Sequence, residues 1–202
     1  MACHHANGAH REVLERYTEA VEEFGRLVGM VLARQWGLPT PCTEWTVRDL
    51  VNHLTAEQLW VPEMLAGLTV SQVGPRYQGD VLGDDPAEAW DSAVRAATAA
   101  FTAPGALDRT VHLSYADRDA LGYCREMAVD AVVHGWDLAR ALGGAGRMTP
   151  AAAGFVLAEV VAYGDLSSTG MFATAVPTGP DADPQTRLLG LAGRDPGWSP
   201  PG

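Results

Sequence analysis

The chain has 202 residues, 47% of them apolar and 19% charged, with 25 acidic against 14 basic side chains and a formal net charge of -11. That size and balance suit one soluble globular domain with a sizeable core, or a domain with a short appendage. The negative excess disfavours long contacts with phosphate backbones or anionic membranes, so neither nucleic acid nor a membrane is an expected partner.

Residues 1–10 read as a disordered N-terminus without a signal-peptide core, which makes the cytoplasm the expected compartment. Cys3, His4, His5 and His10 offer at most a weak, incidental metal site there. From residue 11 to about 34, Val13, Leu14, Tyr17, Val21, Phe24, Leu27, Val28 and Val31 recur at three and four, with Glu12, Glu15, Glu19, Glu22 and Glu23 between them, as on an amphipathic helix. Gly37, Pro39 and Pro41 close that stretch. Thr46 reads as an N-cap and Asp49 as the aspartate version of a capping box. The second helix follows from Val47 towards Leu65, with Pro62 as a kink or an earlier stop.

Residues 67–84 are rich in Gly and Asp and read as a long loop able to cover a site. Asp85-Pro86 with Glu88 starts a third helix, continued by Trp90, Val94, Ala97 and Phe101 as far as Pro104-Gly105. Thr110–Tyr115 alternates weakly and reads as a short extended crossover. A fourth long helix covers about 119–142 and stops at Gly143-Gly144. Thr149-Pro150 starts another helix, Phe172–Val176 is expected to be extended, and 186–192 to be a short helical turn. Four long helices with one long crossover imply an all-α bundle over 11–148. Residues 149–202 then form a C-terminal helical and extended appendage packed on it.

The chemistry-bearing residues concentrate on the fourth helix. Steps of three and four from Tyr123 pass through Met127, Asp130, His134, Asp137 and Ala141. In a bundle such a stripe meets the neighbouring helices, yet its middle carries two carboxylates and an imidazole. Buried groups of this kind need a partner, a proton or a metal. A purely structural alternative pairs His134 with Asp130 and uses Asp137 to help cap the helix near Gly143. Spacing supports only the Asp130–His134 half of a metal site. His53, in the second helix, and His112 are both available as a further ligand. Cys42 and Cys124, with Cys3, are too few and too scattered for a disulfide framework, and each reads as a small hydrophobe or incidental thiol.

Several stretches carry a resemblance. They are Pro39-Thr40-Pro41-Cys42-Thr43-Glu44-Trp45-Thr46-Val47-Arg48-Asp49-Leu50-Val51-Asn52-His53-Leu54, Gly79–Pro86, His134-Gly135-Trp136-Asp137-Leu138-Ala139-Arg140-Ala141, and Leu188–Pro196. Together they resemble the DinB-like, mycothiol-dependent maleylpyruvate isomerase N-terminal superfamily, in its actinobacterial branch of metal-binding proteins. That resemblance implies a DinB-like four-helix bundle with a divalent metal held by His53, Asp130 and His134. Asp130 stands where the isomerases have a glutamate, one methylene longer. Glu126 or Asp137 would assist from outside the ligand set. Zinc is the expected ion, with nickel, manganese and iron as the other fits, and mycothiol is the expected thiol cofactor. Glu57 is the candidate catalytic residue, as a proton relay, and Arg140 the candidate cofactor-binding residue, which either binds an incoming carboxylate or pairs with a surface acid. The implied activity is S-transfer or isomerisation of a small electrophile, with a metal-dependent hydrolase and a non-catalytic metal-binding bundle as alternatives. An exposed bundle face would allow a homodimer.

Overall fold

The computed structural model describes residues 2–164 and 173–201, with side chains from residue 8 onward. The described residues form seven α-helices and one two-stranded sheet, so the chain is all-α in class. In chain order the elements are α1 (Ala2–Val28), α2 (Val47–Leu65), α3 (Val70–Val73), α4 (Pro86–Thr102), β1 (Thr110–His112), β2 (Asp117–Asp119), α5 (Ala120–Ala141), α6 (Pro150–Tyr163) and α7 (Pro184–Leu191). No helix among the described residues is long and apolar enough to cross a membrane. Two compact units are distinguished: Met1–Gly29 with Val51–Ala131, and Met30–Leu50 with Val132–Gly202. Both α2 and α5 contribute residues to each.

In the first unit the stripe Val13, Tyr17, Val21, Phe24 and Val28 of α1 is buried to within 2% of completeness. It packs on α4, where the Phe24 and Trp90 rings lie 4.6 Å apart and Tyr17 meets Phe101 edge-on at 5.1 Å. Burial of each such side chain is worth about 1.5–3 kcal/mol, so this aromatic seam is a principal source of the unit's stability. The Tyr17 hydroxyl donates to Gln58 Oε1 at 2.6 Å, which keeps a buried phenol satisfied. α4 begins as the sequence expects, with the Asp85 carboxylate accepting from the Glu88 N–H.

Two elements of this unit differ from the sequence expectation. α1 begins at Ala2 instead of residue 11 and stops at Val28, with only a short 3-10 turn at Ala33–Gln35 beyond it. The segment expected as a crossover is one arm of a hairpin, in which Thr110, Val111 and His112 pair with Asp119, Arg118 and Asp117. The second arm is fully exposed and entirely charged, so it shows no apolar alternation to read. Pro62 removes one backbone donor from α2, yet the helix runs on to Leu65.

In the second unit, the Thr46–Asp49 capping box closes in both directions: Asp49 N–H donates to Thr46 Oγ1, and Thr46 N–H donates to Asp49 Oδ2. Just upstream, Glu44 takes a left-handed φ of 71° and Pro39 bridges Thr46, folding residues 39–46 into a tight reversal. α6 and α7 pack together, and Ala153, Val156 and Val160 of the first and Leu188 and Leu189 of the second are buried. α7 begins at Pro184, two residues earlier than expected, with Asp183 as its N-cap. The expected extended stretch at Phe172–Val176 begins outside the described residues. Its described part belongs to no regular element, though Val176 N–H donates to Gly190 O at 2.9 Å.

Candidate functional site

α5 positions most of the candidate residues. Along its polar stripe Tyr123, Met127, His134, Asp137 and Ala141 are buried, while Asp130 is half-buried. Asp130 and His134 sit one helical turn apart on this continuous helix.

Within the first unit, His53 of α2 faces Asp130 of α5. Their Nε2 and Oδ2 atoms are 3.5 Å apart, and the side chains keep 31% and 25% exposure, so small solutes reach the pair. Asn52, beside His53, pins the long loop: its amide donates to Gly79 O at 2.9 Å and accepts from Val81 N–H at 2.8 Å. Farther along α2, Glu63 accepts from the Tyr77 hydroxyl and pairs with Arg76. The loop expected to cover a site is thus tied down at both ends of α2. It also contains α3, with a Thr69–Gln72 capping box.

Glu57 lies half-buried one turn beyond His53. Burial, then the charge of Glu57, push the Tyr123 phenol well above its ordinary pKa, so Tyr123 is a neutral neighbour and not a base. Glu126, one turn before Asp130, is engaged by the hairpin: Arg118 donates to it at 2.8 Å, and Tyr115 donates as well. His112 pairs with Asp117 across the same hairpin at 2.7 Å.

Within the second unit, His134 is held on two sides. Trp45, delivered by the turn before α2, stacks on its ring at 5.7 Å and 26°. Its Nδ1 lies 2.9 Å from Asp137 Oδ2. Asp137 is wholly buried and accepts in turn from Arg194, with Nη2 at 2.9 Å and Nε at 3.3 Å. Burial opposes the charge on Asp137, but the His134 hydrogen bond and the Arg194 guanidinium outweigh it and hold the carboxyl below its ordinary pKa. Asp137 therefore does not cap the helix end near Gly143, as the structural alternative had it. It braces His134.

Arg140 spends its donors on backbone. Its guanidinium donates to Trp198 O and Gly144 O and lies over the Trp136 ring at 6.0 Å. Its hydrogen bonds thus go to backbone carbonyls, and not to the surface acid of the structural alternative.

Two residues near His134 escape a linear reading. Cys42 Sγ, a His134 ring nitrogen and an Asp137 oxygen all lie within 4.8 Å of one another, although no histidine is near Cys42 in sequence. Arg194 is 57 residues from the carboxylate it serves. The sequence signal closest to these contacts is the recurrence of both segments among the stretches that carry the family resemblance. Cys124, by contrast, is buried and its thiol is pushed up to about 12 by that burial, which leaves it unreactive at neutral pH.

Residues 17–139 match the model of the mycothiol maleylpyruvate isomerase N-terminal domain. Uncharacterized proteins of Mycobacterium tuberculosis, from strain CDC 1551 and strain H37Rv, are each 30% identical over 137 residues, covering 68% of this chain and 71% of theirs. The fold is that of a crystal structure of mycothiol-dependent maleylpyruvate isomerase, with a TM-score of 0.67, 14% identity, and 93% of this chain and 90% of that chain covered. A mutant of that enzyme superposes with a TM-score of 0.61 at 14% identity, over 82% of this chain and 73% of its own. The chain belongs to the mycothiol maleylpyruvate isomerase N-terminal domain family.

Proposed function

We propose that His53, Asp130 and His134 bind a divalent metal ion, zinc in the first place. We propose further that the chain acts as a mycothiol-dependent isomerase or S-transferase on a small electrophilic substrate. The observation that carries the metal reading is the His53–Asp130 pair. Two ligands at about 2.0–2.1 Å from a tetrahedral cation stand roughly 3.3 Å apart, and His53 Nε2 and Asp130 Oδ2 stand 3.5 Å apart with solvent access. Two imidazoles and one carboxylate are a donor set that suits zinc and leaves a coordination position for another molecule. Asp130 reaches far enough for this, despite being one methylene shorter than glutamate.

A divalent cation held there lowers the pKa of a thiol bound to it, so that the thiol reacts as thiolate at neutral pH. The chain's own residues do the rest. His53 and Asp130 offer donors from the accessible side, and His134 offers its Nε2 because Asp137 takes the Nδ1 side. Glu57, half-buried one turn from His53, accepts or returns the proton of the reacting group. The loop pinned by Asn52 forms a wall beside His53. Arg140, whose guanidinium meets Trp198 O and Gly144 O, is the candidate for holding an incoming carboxylate. A cation of this kind also serves hydrolysis, and the long loop suits either reading, but membership of a mycothiol enzyme family favours the thiol.

The test is titration of the zinc-reconstituted full chain with mycothiol, followed by calorimetry, alongside H53A and E57Q. The reading expects saturable binding that needs zinc and is lost in H53A, with E57Q binding normally but turning over slowly. Zinc uptake without any mycothiol affinity would overturn the thiol assignment and leave the hydrolase or a non-catalytic metal protein.

A further inference from the structure

A buried polar array of the second unit joins His134 to Asp137 and Arg194, and the reaction proposed above gives Arg194 no duty. Asp137 is 0% exposed and Arg194 and His134 are each 6% exposed. One oxygen, Asp137 Oδ2, lies 2.9 Å from both His134 Nδ1 and Arg194 Nη2. Arg194 Nη1 is fixed in turn on Ala192 O at 2.8 Å. With both oxygens of Asp137 turned towards Arg194 and one shared with His134, this carboxylate is a poor metal ligand and a good orienting group.

We infer that Arg194 is a positioning residue for the metal site. Through Asp137 it fixes the His134 imidazole as the Nδ1–H tautomer, so that the Nε2 lone pair points away from the array. This rests on the metal reading of His134 given above. The reasoning is geometric. A neutral imidazole carries one proton, and a carboxylate at 2.9 Å from Nδ1 claims it, which leaves Nε2 as the acceptor. A carboxylate that swings freely gives a ring that swings with it. The guanidinium limits that freedom, because Nη2 donates to Oδ2 at 2.9 Å while Nε reaches Oδ2 at 3.3 Å and Oδ1 at 3.4 Å, so both oxygens are engaged by one planar group. Trp45 on the ring face blocks the remaining rotation.

The backbone that delivers Arg194 is built for this. After α7 the chain turns at Gly193, whose φ is +74° and where a Cβ would come within 2.6 Å of Ala173 O. Arg194 N–H then donates to Leu189 O at 2.8 Å. Only glycine fits that turn without displacement, so the C-terminal segment is specified to place one guanidinium against one carboxylate. Outer carboxylates on metal-binding histidines change metal affinity by about 10–100-fold when removed. The structure assigns a share of that effect to a residue 60 positions away from the histidine in sequence.

The experiment is a double-mutant cycle on the full-length protein: wild type, R194M, D137N and D137N/R194M. Zinc affinity is read by competition with a chromophoric chelator, and the His134 tautomer by nitrogen-15 NMR on metal-free protein. Circular dichroism confirms that each variant is folded. R194M is expected to weaken zinc binding by about 10-fold or more and to mix the two tautomers. D137N is expected to weaken it at least as much, and adding R194M to D137N is expected to change nothing further. Should R194M fail to fold, R194K keeps the buried charge but loses the planar guanidinium, and it is expected to weaken zinc binding and mix the tautomers where an Arg194 without a role would leave both unchanged. The same loss from R194M in both backgrounds would overturn the relay, as would wild-type affinity and tautomer in folded R194M. A wild type that takes up no zinc would overturn the metal reading instead, and the tautomer would still report whether Arg194 governs the ring.

Discussion

The two histidines of the proposed centre live in opposite surroundings. His53 meets Asp130 at 3.5 Å, and both side chains keep a quarter or more of their surface in water. His134 has a carboxylate at 2.9 Å that is wholly buried, an arginine behind that carboxylate and an indole on its ring. A partly solvated pair contributes about 0–1 kcal/mol, so the His53–Asp130 contact is expected to carry little of the fold's stability. In a buried, hydrogen-bonded array, removing one member strands the others. One histidine is partly solvated and the other is buried in a hydrogen-bonded array, and the two are expected to separate under mutation.

The largest stability loss is expected at the buried end. R194M leaves the Asp137 carboxylate uncompensated and is expected to cost about 3–5 kcal/mol in urea unfolding. The same array sets an acid limit. Because the folded pKa of Asp137 is depressed, its stabilising share is complete above an unfolded value of about 3.9 and is lost as pH falls through the lower, folded value. Urea midpoints measured from about pH 6 down to about pH 2.5 are expected to fall less steeply in D137N than in the wild type. G193A, with a left-handed φ and a clash with Ala173 O, is expected to cost about 1–3 kcal/mol. W45A removes the stack on His134 and is expected to cost about 1 kcal/mol, measured in the same way. H53A sits at the other extreme, with a change below about 1 kcal/mol in metal-free protein. A large loss in H53A, or a negligible one in R194M, would break the contrast.

The sequence made the local features readable. Capping pairs such as Thr46–Asp49 and Asp85–Glu88 act across three residues, so their partners lie in plain view, and the structure closes both. α5 was bounded to within a residue or two because its apolar stripe and the following glycines are contiguous. What stayed hidden depends on distant or weakly patterned partners. β2 has no apolar residue to betray it. The helix-capping alternative for Asp137 fails because one of its partners, a guanidinium 57 residues off, is brought to it only by folding, although the other, the His134 ring, lies three residues away on the same helix. The approach of Cys42 to His134 likewise needs the reversal at Glu44, whose positive φ no glycine announces. The candidate ligands themselves came from resemblance, since spacing tied only Asp130 to His134.

The measurement that bears most directly on this account is metal content per chain by elemental mass spectrometry after zinc reconstitution of wild type, H53A and H134A. The account predicts close to one zinc per wild-type chain, and its loss in both variants while circular dichroism stays unchanged. A wild type that remains metal-free with zinc, nickel, manganese and iron alike, or variants that retain full occupancy, would contradict it.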